Sequence, residues 1–313
     1  IKYAMADLLY FQENWAACGP AFDSVVAENP NAPEAAEAAY AAVLCFQKIY
    51  DQQHAKGEGK KGVGQLPGTK KDDKKGKEKE DEEAKLRPKE FTEAQKGMIA
   101  AFNRYICYIK PGPNDKEGLN QLVEVKYARA RTYFEAQHWD EAGYAFRDVA
   151  LSHPEHDSSI YASQLYLESI NVLREHGQPK RFGCADDMAQ DVPKFIELYC
   201  SGDKAAKNAE NCTNLNKVQV DLLRLKAEGK IAKANTEQGA QALTSFEDAG
   251  NSYFEMFRKY CQDPVSANQQ PQAERCDEIV YNAAKAFQAA RLVAKAITAR
   301  KALLEFDART KMN

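Results

Sequence analysis

The chain has 313 residues, with 43 lysines and arginines against 46 aspartates and glutamates, for a formal net charge of −3. That balance gives no general attraction to nucleic acid or anionic lipid, and no apolar run approaches the roughly 18 residues that a membrane span needs. Alanine and charged residues dominate and no stretch alternates Val, Ile and Thr as a sheet requires, so an all-α fold is expected.

The opening segment IKYAMADLLYFQENWAACGPAFDSVVAENP returns over 125–154 as VKYARARTYFEAQHWDEAGYAFRDVALSHP. Lys2/Lys126, Tyr3/Tyr127, Ala4/Ala128, Ala6/Ala130, Trp15/Trp139, Ala21/Ala145, Phe22/Phe146, Val25/Val149 and Pro30/Pro154 coincide without a gap, which marks a duplicated supersecondary unit. In the second copy Tyr127, Ala130 and Phe134 share one helical stripe, and Ala142, Phe146 and Val149 form another after a break at 137–140. Two helices joined by a tight turn are predicted, with Ala130 and Ala142 where the helices approach and Pro154 as the stop. Trp15 and Trp139 are expected to seal the two turns as core residues.

In chain order, residues 1–51 hold the first unit and AAEAAYAAVLCFQKIYD, the first helix of a second. Residues 52–88 are lysine-rich and then acidic, with almost nothing apolar, and predict a disordered insertion inside a helical hairpin, where a loop lengthens at small entropic cost. Residues 89–183 resume with the partner helix FTEAQKGMIAAFNRYICYIKPGP, the second copy of the repeat and the start of a fourth unit. Residues 184–213 form an irregular segment containing cysteines, and 214–313 a long helix followed by further hairpins.

Ala130, Tyr133, Trp139, Ala142, Phe146, Val149 and Pro154 stand at the spacings of the tetratricopeptide repeat, a helix-turn-helix unit of about 34 residues that the chain therefore resembles. The first copy departs at Leu9 and Cys18. The segment from Tyr281 resembles a further repeat, with Ala284, Phe287, Ala296 and Leu303 in register and departures at Arg300 and Ala308. The resemblance implies a right-handed α-solenoid of about six hairpins, in which each repeat buries its face against the next. Pro30, Ala35, Ala38, Ala39, Ala42 and Cys45 also match the run seen in bacterial envelope repeat proteins related to the Tol-Pal coordinator and outer-membrane assembly lipoproteins. That likeness implies a periplasmic or outer-membrane-associated scaffold, whose anchoring would come from flanking sequence.

Cys200 and Cys212 flank one polar loop and Cys261 and Cys276 another, so each pair is a candidate disulfide, as an oxidising compartment favours. Cys18, Cys45 and Cys107 fall on apolar helical faces and are expected as reduced, small hydrophobes. No CxxC, HExxH, glycine-rich phosphate loop or GxSxG elbow is present, so neither cofactor nor metal is expected and an enzyme is disfavoured. His153 and His156 in HPEHD are expected in an exposed turn, with Pro154 ending one helix and Asp157 or Ser158 capping the next.

In solenoids of this kind the first helix of each repeat lines the concave face. Tyr3, Tyr127 and Tyr281, followed a turn later by Asp7, Arg131 and Lys285, are the candidate partner-binding residues, suited to an extended peptide or a partner helix. The expectation is a non-enzymatic scaffold for protein partners of an envelope complex. The alternative is a cytosolic adaptor or peptide-binding co-chaperone with inert thiols.

Overall fold

The structure is a computed structural model that describes residues 1–54, 85–177, 181, 183–267 and 269–312. Every regular element among them is helical, and the chain divides into two compact units, Ile1–Cys184 and Ala185–Asn313.

The first unit contains α1 (Lys2–Phe11), α2 (Trp15–Glu28), α3 (Ala35–His54), α4 (Glu93–Tyr108), α5 (Lys116–Glu135), α6 (Trp139–Ser152) and α7 (Ser159–His176). Each of α1 to α6 packs on the helix that follows it, and α2 also meets α4, where Arg104 Nε donates to Asp23 Oδ1 at 2.9 Å. A core of Phe22, Val26, Ala38, Ala42, Phe102, Tyr105 and Val125 runs through α2 to α5.

The duplicated sequence folds into duplicated geometry. Glu13 and Gln137 occupy the same turn position with φ of 55° and 64°. The Glu13 N–H donates to the Tyr10 carbonyl and the Asn14 N–H to the Leu9 carbonyl, and Gln137 and His138 do the same with Phe134 and Tyr133. This is the Schellman closure of a helix, satisfying carbonyls that the helix end orphans. A left-handed residue other than glycine costs about 1 kcal/mol, so hairpin packing must offset it. That packing is also repeated. Tyr10 meets Trp15 edge-on at 5.3 Å and Phe134 meets Trp139 at 5.1 Å. Tyr3 meets Phe22 at 5.7 Å and Tyr127 meets Phe146 at 5.6 Å. Each second helix then admits the following helix at a glycine: a Cβ on Gly19 would stand 2.9 Å from the Phe46 ring, and one on Gly143 3.1 Å from Ile170 Cδ1.

Of the insertion expected at 52–88, residues 52–54 continue α3 and 85–88 are placed, while residues 55–84 lie outside the described residues. Residues 85–91 run onto the α5–α6 turn. The Leu86 carbonyl accepts from Trp139 Nε1 at 2.7 Å, the Lys85 carbonyl accepts from Gln137 Nε2, and Phe91 stacks on His138 at 4.1 Å. Thr92 and Gln95 then start α4 with a reciprocal capping box.

The second unit contains α8 (Cys184–Tyr199), α9 (Asp203–Lys207), α10 (Ala209–Thr236), α11 (Gly239–Phe257), a π turn at Arg258–Gln262, α12 (Asp263–Ser266), α13 (Cys276–Ala289) and α14 (Val293–Met312). Helix α11 packs on α10 and α13, and α13 on α14. The Phe287 ring lies against Gly250, where a Cβ would come within 2.6 Å. The α13–α14 turn repeats the closure seen in the first unit, with Arg291 at φ 61° and the Arg291 and Leu292 N–H groups donating to the Gln288 and Phe287 carbonyls.

Three cysteine pairs stand at disulfide distance. Cys200–Cys212 ties the end of α8 to the start of α10, and Cys261–Cys276 ties the π turn to the start of α13. The third corrects the expectation for Cys18 and Cys45: they are bonded, with Cα atoms 6.1 Å apart. Each does lie on an apolar face, and the packing of α2 on α3 turns those two faces toward each other. Cys107, also expected on an apolar face, is exposed, and Cys184 is buried.

Candidate functional site: a tyrosine–carboxylate ladder

Helices α1, α3 and α5 open successive hairpins, and tyrosine–carboxylate pairs link each to the next. The Glu37 carboxylate of α3 lies close enough to Tyr3 of α1 to act on its phenol. Glu124 of α5 acts on Tyr40 of α3 in the same way, and Tyr50 Oη of α3 donates to Glu135 Oε2 of α5 at 2.6 Å. Arg131 closes the end of the ladder, its Nη2 donating to Glu135 Oε1 at 2.9 Å and its charge acting on the Tyr127 phenol.

The electrostatics keep these groups in one protonation state. Burial, reinforced by Glu37, pushes the Tyr3 phenol up to about 12. Burial and then their carboxylate partners raise Tyr40 and Tyr50 in the same way. Burial also raises Tyr127, against the opposing pull of Arg131. For Arg131 burial acts against the charge, but the Glu135 carboxylate and, beside it, the Tyr127 phenol hold it above its ordinary value. At neutral pH the phenols are therefore neutral and able to donate. Such a row can hydrogen-bond the polar groups of a bound chain, and it offers no activated nucleophile or base.

The structure places Tyr3, Asp7, Tyr127 and Arg131 in the first unit, with Asp7 half-buried beside Tyr3, whose phenol its charge helps to raise. Tyr281 and Lys285 lie on α13 in the second unit. There Lys285 Nζ stands 5.7 Å from the Tyr281 ring centroid, and the ring is 50 % exposed. Arg300 occupies the position where α2 and α6 carry Phe22 and Phe146, so Tyr281 has no ring to pack against at that position. Sequence reasoning missed Glu37, Tyr40, Tyr50, Glu124 and Glu135. Only Glu37 left a signal, standing one repeat length of 34 residues after Tyr3.

His153 and His156 are half-buried rather than exposed. His153 Nε2 lies 3.0 Å from Lys126 Nζ, which also pairs with Asp148 at 2.9 Å. Burial and then Lys126 push the His153 imidazole down. His156 Nδ1 accepts from the Ser158 N–H at 3.1 Å, and Ser158 makes no side-chain cap. The two imidazoles thus face different partners, and no cluster of three or more His, Cys, Asp or Glu that could hold a metal occurs among the described residues. Among those residues no helix is long and apolar enough to cross a membrane.

No known protein family matches the chain, and no curated protein does.

Proposed function

We propose that the chain is a non-enzymatic protein-binding scaffold of tetratricopeptide type, a right-handed solenoid that holds its partner on the first-helix face of residues 1–184. The row from Tyr3 to Arg131 carries this reading: tyrosines stand beside carboxylates across three consecutive first helices, and Tyr50 and Arg131 both bond Glu135. An extended peptide or partner helix lying across those helices finds aromatic surface and hydrogen-bond partners together. The repeated turns and ring pairs support the family resemblance. The three cysteine pairs support an oxidising compartment, and we assign the scaffold to a bacterial envelope assembly.

Site-specific photo-crosslinking tests the face. Tyr161 is exposed on α7, close enough to Tyr127 to influence its phenol, whereas Tyr144 is exposed on the second helix α6. A benzophenone side chain at 161 should capture a partner and one at 144 should not; equal capture, or none at 161, removes the assignment. Thiol counting on protein from its native source tests the compartment. Three bridges with two alkylated thiols are expected, and eight alkylated thiols would favour the cytosolic adaptor.

A further inference from the structure

On the first helices of residues 1–184, cations and carboxylates are sorted to different sides. Lys2 of α1 pairs with Glu28 of α2, and Lys126 of α5 pairs with Asp148 of α6 at 2.9 Å. Arg129 Nη1 of α5 donates to Asn103 Oδ1 of α4 at 2.9 Å. These cations are thereby turned toward second helices. Arg131, whose charge acts on the Tyr127 phenol, is itself held by Glu135. Asp7, Glu37 and Glu124 are left along the tyrosine row, with no lysine or arginine paired to them among the described residues. Asp7 and Glu37 both act on Tyr3, and Glu124 acts on Tyr40, so their charges fall on one strip across α1, α3 and α5. The exposed Lys48 and Lys116 lie three turns beyond Glu37 and two turns before Glu124 along their helices, so they bound the strip and do not neutralise it.

Helix α7 continues the strip. Over 159–173 the positions that are not buried are Tyr161, Gln164, Glu168 and Asn171, three or four apart on one face, and Tyr161 acts on the Tyr127 phenol of α5. Glu168 is half-buried, with no hydrogen bond or ion pair from any described residue. Arg174 of the same helix bonds Asn171 and Glu175 instead. A carboxylate in that setting bears a desolvation cost that nothing offsets, and a cation arriving beside it removes that cost.

We propose that the segment held on this face is basic, its lysine or arginine side chains pairing with Asp7, Glu37, Glu124 and Glu168 while their stems lie along the intervening tyrosine rings. The proposal rests on the scaffold reading of the same face and adds the chemistry of its occupant. A segment of the opposite charge meets four carboxylates and no uncommitted cation on the strip, so the surface selects by repulsion as well as by attraction.

A phage-displayed library of random peptides, selected on the full chain near pH 8 where Glu168 is charged, tests it. The selected peptides should be rich in lysine and arginine. Their affinity should fall about fivefold when Glu37→Gln and Glu124→Gln are combined, and about threefold for Glu168→Gln. Glu93→Gln with Glu141→Gln removes the same charge from the second helices α4 and α6 and should leave affinity unchanged, with circular dichroism confirming that each variant is folded. A library without basic enrichment or without binders, or equal losses in the two double variants, would overturn the proposal. Peptides that lack basic residues yet crosslink through a benzophenone at 161 and not at 144 would overturn it and leave the scaffold reading standing. Capture at 161 and 144 alike would instead remove the face itself.

Discussion

The hairpins α1–α2 and α5–α6 share their turns, their ring pairs and the glycine that admits the next helix, yet they live in different surroundings. Trp139 is buried, with its indole N–H bonded to the Leu86 carbonyl, whereas Trp15 is half-buried against Tyr10. Conversely, α2 is bridged to α3 through Cys18 and Cys45, where the second copy has Ala142 and Ser169. Local sequence makes the hairpin twice over. The neighbours decide which of its side chains carry stability.

The tryptophans give the largest test of that contrast. Trp139→Ala should lower stability by about 3–5 kcal/mol through the lost ring and hydrogen bond, and Trp15→Ala by about 1–2 kcal/mol, read from urea unfolding. Equal losses would mean that the 85–91 segment adds nothing to the second copy. Replacing Cys18 and Cys45 together by alanine should cost about 2–4 kcal/mol. Hydrogen exchange should then quicken in α1 to α3 and stay unchanged in α6 and α7; uniform quickening would show that the bridge supports the whole unit.

A smaller contrast separates α3 from α7. Glu168 occupies the position of Leu44, and burial alone pushes its carboxyl up to about 7. With the folded value above the unfolded one, protonation favours the folded state. Stability should therefore fall as pH rises from the unfolded value of about 4.3 toward 7, and the full penalty remains above that. Because Glu168 is only half-buried, solvent screening trims the effect. Glu168→Leu should add about 1–2 kcal/mol near pH 8 and almost nothing near pH 4; a gain independent of pH would point to packing instead. The smallest effect belongs to the turns. Glu13→Gly and Arg291→Gly each relieve a left-handed residue and should add about 0.5–1 kcal/mol less the entropy glycine restores to the unfolded chain. A loss at Glu13 alone would show that its side chain does more than fill the turn.

Legibility followed the range of the interactions. The all-α class and the hairpin spanning 125–154 were readable because helical stripes and turn breaks are local patterns. The turn at Gln137 was readable as a break, although nothing in its residue type announced a left-handed conformation. The ladder was mostly hidden. Tyr40, Tyr50, Glu124 and Glu135 belong to no repeated motif, and their pairing needs α3 beside α5. Tyr281 shows the converse: a motif residue in register whose expected packing ring is missing because Arg300 stands where a phenylalanine does elsewhere.

By itself the sequence determined the helices, the hairpin unit and its duplication, since these depend on residues within one repeat of each other. Tertiary structure alone decided that Cys18 meets Cys45, that the Leu86 carbonyl accepts from the Trp139 indole N–H, and which tyrosines face which carboxylates. Those contacts join residues 27 to 85 positions apart, and a helix-period pattern says which face a residue occupies without saying which neighbour that face will meet.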